Sequence, residues 1–239
     1  MTYYNQNNYA HVPYPRPSDP KANVKSGGCG VCCGSTVLSF FGLNWAPDKL
    51  APIFIAQGAR ADTGTNMRLA CNIIAELADV HVTTISLEPE LVKCLRAGGI
   101  AIANVDGDAG EKGVFSNAGH YIVVVGVKDN GDLLIYDVGD YASKYASAYR
   151  AARVKREGEL LVCSQATLDM DTKHRTPNYY LFWPKEDKPM TPETHTPAPW
   201  AKDAWEAATA AGILDGTYPQ GPVTREQLAV ILHRLGLVK

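Results

Sequence analysis

The feature that most constrains the fold of this chain is an apolar run that turns back on itself near the middle of the sequence. Residues 119–127 are typical of a buried strand, with one histidine, His120, at its entrance. The Asn-Gly pair at 130–131 is a strong hairpin-turn signal, and residues 133–139 supply the return strand. The hairpin predicts that Asp137 lies near the strand end that carries His120.

A glycine-rich turn at residues 26–34 delivers a cysteine, Cys29, to the start of an apolar segment of helical length. A helix amino terminus lowers the pKa of a thiol, and the thiolate is the nucleophilic form. The glycines allow a tight turn and leave space for a substrate carbonyl. Taken alone, this segment fits a nucleophile and a structural cysteine beside a turn equally well.

The two segments together favour catalysis. Cys29 comes first in the chain, and His120 and Asp137 follow on paired strands, which is the order of papain-like thiol catalysis. His120 would take the proton of Cys29, and Asp137 would orient the imidazole and favour its charged form. The competing interpretation is a surface histidine on an ordinary hairpin. We therefore predict a cysteine hydrolase that needs no cofactor.

These motifs resemble the bacteriocin-leader (double-glycine) peptidase-like group of papain-fold cysteine peptidases. The matching positions are residues 28–30, Gly42 after the first helix, residues 119–120 with their apolar run, and Asp137. The likeness covers residues 3–183. The chain departs from the family at Val31 and Val138, where proline is usual or frequent, and neither departure removes a catalytic group.

The resemblance also implies an oxyanion hole. Family members carry a glutamine upstream of the cysteine, and Gln6 lies in that place within an Asn-rich segment. Its amide and the backbone N–H of Cys29 would bind the developing oxyanion. A solvated polar residue is the alternative interpretation of Gln6. No ATP-binding or membrane domain follows the peptidase region, so a role as the peptidase arm of an exporter is not expected.

The pattern of residues 1–183 predicts an α+β fold, which the resemblance implies is a papain-like domain with the nucleophile helix packed on an antiparallel sheet. Three helices and several strands are predicted, at residues 30–41, 66–78 and 89–96, at 100–105, in the hairpin, and near Leu160 and Tyr179. Residues 107–117 are polar and precede His120. They form either an ordinary connection or a loop at the rim of the cleft.

The composition changes after the peptidase region. Residues 184–199 contain five prolines among charged residues and threonines, which is typical of an extended linker. Residues 200–239 predict a small helical hairpin, with a first helix that ends at Gly212 and a second that Thr224 caps. Residues 212–216 and 223–227 resemble one S-layer homology motif. That family binds secondary cell-wall polymers, usually through three copies, and the alternative is a plain hairpin that aids folding or oligomerisation.

Charge and cysteine content limit the other classes of function. The net charge of −2 gives no indication of a nucleic-acid partner, and no apolar run has the length of a membrane span. Cys29 and Cys32 form a C-x-x-C pair, which could indicate redox chemistry or zinc. No second C-x-x-C or His-x-x-x-His pair completes a zinc site, so no metal is expected. The other cysteines are expected to be reduced, and Cys71 and Cys94 to pack as small apolar residues.

The function expected from these features is a cysteine peptidase or amidase that hydrolyses bacterial cell-wall peptidoglycan. The polar start of the chain is not typical of a signal peptide, so none is expected there. These features suggest an endolysin of a bacteriophage, made in the cytoplasm and released to the wall through a holin pore. Such an enzyme would account for both the polar amino-terminal segment and the wall-binding-like motif at residues 200–239. Residues 200–239 would bind the wall or form a homo-oligomer. The alternatives are a peptidase for proteins or leader peptides, and a non-enzymatic wall-binding or assembly protein with a vestigial site. The sequence does not decide which amide bond is cut.

Overall fold

The computed structural model describes residues 1–86, 88–106, 113–185 and 201–213, together with 231–233, Leu235 and Leu237. The chain divides into two compact units, Met1–Lys185 and Glu186–Lys239. The first unit is a mixed α+β structure built on a large antiparallel sheet, so the α+β fold class is confirmed at this level. Within the described ranges, no helix is both long enough and apolar enough to span a bilayer.

The first unit alternates helices and strands along the chain. Its helices, after a short 3-10 turn at Gln6–Asn8, are α1 (Val24–Gly27), α2 (Cys29–Phe40), α3 (Pro47–Ala56), α4 (Met67–Ala78), α5 (Glu88–Arg96), α6 (Ala148–Ala151) and α7 (Gln165–Thr172). Its strands are β1 (Arg60–Ala61), β2 (Gly64–Thr65), β3 (Val80–Ile85), β4 (Ile100–Val105), β5 (His120–Val127), β6 (Leu133–Tyr136), β7 (Lys155–Glu157), β8 (Leu160–Cys163) and β9 (Tyr179–Pro184).

Seven strands form one sheet in the order β3-β9-β4-β5-β6-β8-β7, and β1 and β2 form a separate two-stranded ribbon. Every neighbouring pair in the large sheet is antiparallel. The central strand of the seven is therefore β5, between β4 and β6, and it carries His120 at its first position. Strand β9, the last strand in sequence, lies between β3 and β4, so the sheet joins segments that are far apart in the chain.

The sheet is covered on both faces. On one face, Ile100, Ile102 and Val123 belong to the apolar cluster that includes residues of α2, α3 and α4. On the other face, Ala101 and Val124 join a second cluster with residues of α5 and α7. All six residues of β4 are buried, because alternate side chains enter the two clusters. This explains why the central strands read as unbroken apolar runs.

The helix that begins at Cys29 is central to the unit. Ten residues of α2 are buried, and the helix packs against β5, α3 and α4. Its position agrees with the predicted helix at 30–41. The predicted helix at 66–78 corresponds to α4, where the side chain of Asn66 caps the first turn by accepting from the Leu69 N–H at 3.3 Å.

The predicted hairpin is present. The Lys128 carbonyl accepts from the Gly131 N–H at 2.9 Å, and Gly131 has a φ of 89°. This is a three-residue hairpin loop with a left-handed third residue. Farther along, the pairing of β5 with β6 shifts between Val124 and Gly126, so that Val123 lies opposite Tyr136. Asp137 comes directly after β6, beside the buried start of β5.

Several elements of the first unit have no counterpart in the sequence prediction: the short α1, β1, β2, α6 and β7, and the longer α3, β3 and α7. Proline lies within α3 at residue 52, which obscures the helical pattern. The strand β3 has only one buried residue, Val80, because it lies at the edge of the sheet. The sequence signals of α3 and β3 are both weak because neither segment has a clear apolar periodicity.

In the second unit, α8 (Lys202–Ala210) corresponds to the first helix predicted there, and Gly212 follows it with a φ of 67°. Residues 231–233 are also helical. The rest of the predicted second helix and the turn that would join the two helices fall at 214–230, outside the described residues. The same holds for the predicted linker beyond Lys185.

Candidate active site

Cys29 is the first residue of α2, directly after the short helix α1. The two helices meet at Gly28, where a Cβ would lie 2.6 Å from Val24 Cγ1 and 2.7 Å from Val24 O. No side chain fits there without movement of the backbone, so the glycine allows the close turn that delivers the cysteine. Cys29 has no intrahelical acceptor for its N–H, and the described residues provide no other.

His120 lies at the start of β5, opposite Val105 of β4, and is 9% exposed. Its Nε2 is 2.8 Å from Oδ1 of Asp137, so the predicted contact across the hairpin is confirmed. Because Nε2 is engaged by the carboxylate, Nδ1 is the ring nitrogen that remains for the thiol of Cys29. His120 is thus bonded to Asp137 and is the group that most lowers the pKa of the Cys29 thiol, so the three predicted residues belong to one cluster.

The thiol of Cys29 differs from the other five in its acidity. Desolvation would raise the pKa of Cys29, but the hydrogen bond and positive charge of His120, with the N–H groups of Tyr121 and Gly30, lower it below the ordinary value. The pKa of each other thiol is raised by burial: Cys32, Cys33, Cys71, Cys94 and Cys163. Cys29 is also partly exposed, whereas Cys32 and Cys33 are buried.

The imidazole and the carboxylate shift in the complementary directions. Burial would lower the pKa of His120, but its hydrogen bonds to Asp137 and Cys29 outweigh that and raise the pKa to about 9. Burial would raise the pKa of Asp137, but His120 and Lys144 hold it well below its usual range. The lowered pKa of Cys29 and the raised pKa of His120 both favour transfer of the thiol proton to the imidazole, beside an ionised Asp137.

Asp137 is 1% exposed, and both of its carboxylate oxygens are fully engaged. In addition to His120, Oδ1 accepts from the Gly139 N–H at 2.9 Å. Oδ2 accepts from the Tyr145 hydroxyl at 2.5 Å and from Lys144 Nζ at 2.5 Å. The hydroxyl of Tyr3 donates to the main-chain oxygen of Asp137 at 2.5 Å.

Tyr3, Lys144 and Tyr145 are not among the site residues predicted from the sequence. Lys144 and Tyr145 lie in the irregular segment between β6 and α6, which has no period to assign. Their nearness to Asp137 in sequence, seven and eight residues, was the available signal. Tyr3 is 134 residues away from its partner, and no local pattern predicts such a contact.

Gln6 lies between the two halves of the site. Its main-chain N–H donates to the Val138 carbonyl at 2.7 Å, and its Nε2 donates to the Lys25 carbonyl on α1 at 3.0 Å. These bonds tie the segment after Asp137 to the helix before Cys29. Gln6 Oε1 is buried and has no hydrogen-bond partner in the described part of the chain. The predicted role of the Gln6 amide in an oxyanion hole stays a prediction.

The segment that leads into His120 is held by two buried or half-buried charged groups. Asp171 accepts from the N–H groups of Val114 and Phe115 at 2.8 and 2.9 Å. Arg150 donates from Nε to the Gly113 carbonyl at 3.2 Å. Of the predicted loop at 107–117, residues 107–112 fall outside the described ranges, and residues 113–115 are buried.

A metal centre finds no support in the described ranges. They contain no group of three or more His, Cys, Asp and Glu side chains placed to hold an ion. Cys32, the second cysteine of the C-x-x-C pair, belongs to the apolar cluster beneath α2. Its surroundings are those of a core residue, not those of a ligand.

Comparisons with known proteins do not assign the chain to a family. No protein-family model matches the sequence, and a search of curated proteins finds no match.

Proposed function

We propose that this protein is a cysteine hydrolase that cleaves amide bonds with Cys29 as nucleophile, His120 as base and acid, and Asp137 as the group that orients His120. The observation that carries this proposal is geometric: His120 on β5 is bonded at 2.8 Å to the buried carboxylate of Asp137, and the helix that begins at Cys29 packs on β5. Cys29 alone has a lowered pKa, and the cause is a histidine that is itself bonded to a buried carboxylate at 2.8 Å.

In the first half of the reaction, the Cys29 thiolate attacks the carbonyl carbon of the amide. The developing oxyanion would accept hydrogen bonds from the Cys29 N–H and from the second N–H of the Gln6 amide, since the first is held by Lys25. The imidazolium of His120 then gives its proton to the nitrogen of the leaving amine. The C–N bond breaks, and a thioester on Cys29 remains.

In the second half, neutral His120 takes a proton from a water molecule, which attacks the thioester carbonyl. The C–S bond breaks, the acid product leaves, and the thiolate–imidazolium pair is restored. Asp137 stays ionised throughout, because four donors surround its carboxylate. It fixes the orientation of the ring through both steps.

The fold supports a papain-like assignment. In the proposed assignment, α2 is the nucleophile helix, and it packs on β5, which supplies the histidine. The remaining catalytic carboxylate comes from the segment after β6, the antiparallel neighbour of β5. This is the arrangement expected from the resemblance to papain-fold peptidases of the double-glycine group.

For the substrate, we propose peptide amides of the bacterial cell wall. The support is the sequence of the second unit, where residues 212–216 and 223–227 resemble an S-layer homology motif. A module of this kind would hold the enzyme on a secondary wall polymer, or join copies of the chain, while the first unit cuts nearby bonds. An endolysin-like enzyme would use the two units in this way.

The test is to incubate the full chain with purified Gram-positive peptidoglycan and to analyse released fragments by mass spectrometry. We expect new amino and carboxyl ends, and their masses identify the bond. Cys29→Ala should release nothing, whereas Cys32→Ala provides a matched control within the same helix. Activity on unfolded protein or leader peptides, with none on the wall, would move the assignment to the peptidase alternative. No activity on either substrate class would contradict the proposal.

A further inference from the structure

The carboxylate of Asp137 is shared by two cations, of which the proposed reaction uses only one. Oδ1 faces the imidazole of His120, and Oδ2 faces the ammonium of Lys144 at 2.5 Å. Lys144 is itself buried, with a side chain that is 8% exposed, and its other acceptor is the Gly139 carbonyl at 3.3 Å. Removing an ammonium from water is costly, so this placement is a specific feature of the site.

The other titratable groups near Asp137 do not compete for this role. The Tyr145 hydroxyl donates to Oδ2 and stays protonated, because burial and the neighbouring carboxylate raise its pKa. Tyr3 donates to the main-chain oxygen. Asp140, on the same segment, is paired with Arg156 through contacts of 2.6 and 3.0 Å. Within the described residues, Lys144 is thus the charged group other than His120 that contacts this carboxylate.

We propose that Lys144 is a positioning residue that limits the basicity of His120, so that the imidazolium stays acidic enough to protonate a leaving amine. The ammonium offsets part of the negative charge that the carboxylate presents to the ring. It also holds Oδ2, which leaves Oδ1 directed at Nε2. This inference rests on the proposed function, because it assumes that His120 transfers a proton between Cys29 and the leaving group.

The sign of the effect follows from the charges. An isolated buried carboxylate would stabilise the imidazolium strongly and make it a weak proton donor. With Lys144 in place, the pKa of His120 is already raised to about 9. Replacing Lys144 by a neutral residue should raise it further, and a shift of about one pH unit is the expected size for a charge at this range in a partly polar site.

The test follows the alkylation of Cys29 by iodoacetamide as a function of pH, on the full chain, with peptide mass spectrometry to assign the modified residue. This readout needs no substrate. In the wild type we expect two steps in the rate, one where the thiolate–imidazolium pair forms and one near pH 9 where the imidazolium loses its proton. Lys144→Gln should move the upper step upward by about one pH unit.

Two variants separate charge from hydrogen bonding. Lys144→Arg keeps the positive charge and should leave the upper step within about 0.3 pH unit of the wild type. Tyr145→Phe removes a donor from the same oxygen without a change in charge, and should move the step by less than half of the Lys144→Gln shift. If Lys144→Gln does not fold, Lys144→Met gives the same comparison, and Lys144→Arg must keep the wild-type step in either case.

The outcomes distinguish the two proposals. An upper step that stays in place or moves downward in folded Lys144→Gln or Lys144→Met would overturn the role of Lys144. The same conclusion follows if folded Lys144→Arg shifts as far as the neutral variant. A single-step profile in the wild type, unchanged in His120→Ala, would instead contradict the thiolate–imidazolium pair and with it the proposed function.

Discussion

Gly139 lies directly against the imidazole of His120: a Cβ at residue 139 would be 2.9 Å from Cε1 and 3.1 Å from Nε2 of that ring. The same glycine donates its N–H to Oδ1 of Asp137 at 2.9 Å. The residue therefore fixes the carboxylate from one side and leaves room for the ring on the other. Any side chain there must displace the histidine or the segment that holds its partner.

We accordingly predict that Gly139→Ala lowers the rate of Cys29 alkylation at neutral pH by about 10- to 100-fold while the protein stays folded, because small displacements of catalytic groups cost this much. Gly126→Ala is the matched control, since a Cβ there would meet only Leu134 Cδ1 at 3.5 Å. Alkylation rates and circular dichroism on both variants check this. Equal reactivity of Gly139→Ala and wild type would show that the close contact is not needed.

The choice of nucleophile gives a second prediction. Cys29→Ala should abolish turnover on any substrate that the wild type cleaves, because no other thiol has a lowered pKa. Cys32→Ala and Cys33→Ala should retain much of the activity, with some loss of thermal stability from the buried volume removed. Initial rates and melting curves on the three variants make the comparison. Wild-type activity in Cys29→Ala would refute the assignment.

Gln6 gives a prediction in which two readouts diverge. If its amide stabilises the oxyanion, Gln6→Ala should lower kcat for amide hydrolysis by about 100- to 1000-fold. Alkylation of Cys29 by iodoacetamide forms no oxyanion and should keep its rate within about twofold of wild type. Asn8→Ala, a change in the same 3-10 turn, is the control. A parallel loss of alkylation would indicate that Gln6 acts by holding α1 instead.

The dependence of stability on pH tests the ion pair. The folded pKa of His120 is raised to about 9, so its contribution to the free energy of unfolding is complete below pH 6.5 and is lost as pH rises toward 9. The lowered pKa of Cys29 gives the free energy of unfolding the opposite dependence on pH, because the stabilising contribution of the thiolate grows as pH rises toward 9. Between pH 6.5 and 9 the two slopes oppose each other.

Cys29→Ala should expose the histidine contribution alone. Its free energy of unfolding, relative to wild type, should fall with pH above 6.5 by up to about 1.4 kcal/mol per pH unit, until the folded pKa of His120 in the variant is reached. Urea denaturation at pH 6, 7.5 and 9 measures the difference. Parallel curves for the two proteins would show that Cys29 and His120 are not an ion pair.

Removal of residues 186–239 tests whether the first unit performs catalysis and the second unit performs binding or assembly. Residues 1–185 contain the whole candidate site, so cleavage of a small soluble peptide should survive. Sedimentation with cell walls, or the mass of an oligomer in solution, should decrease. Two results together would contradict this division. The 1–185 fragment would fold but cleave nothing, and its wall binding and oligomer mass would equal those of the full chain; the second unit would then belong to the catalytic machinery.

The predictable parts of this fold are those with local signals. The hairpin carries its own turn and two apolar strands, so the contact of His120 with Asp137 follows from neighbouring residues. The helix entry at Cys29 is likewise marked by glycines on both sides. In each case the decisive interactions lie within a short stretch of chain, where period and turn chemistry determine geometry.

The less predictable parts depend on contacts between distant segments. The pairing of β9 with β3 and β4 joins segments that are far apart in the chain, so no local pattern predicts it. Strand β3 lies at the edge of the sheet and therefore lacks the apolar pattern of a buried strand. Lys144 and Tyr145 reach Asp137 through an irregular segment whose path no periodicity encodes. The donors that complete the site are therefore visible only in three dimensions.

The bonds from the amino-terminal segment to the residues around Asp137 also set the order in which the site can form during synthesis. Tyr3, Asn5 and Gln6 bond to main-chain oxygens at 137, 140 and 138, in a part of the chain made more than a hundred residues later. Cys29 leaves the ribosome long before His120 exists to lower its pKa. The growing chain thus carries an ordinary, weakly acidic thiol, and its reactive form arises only after the central hairpin has closed on the amino terminus.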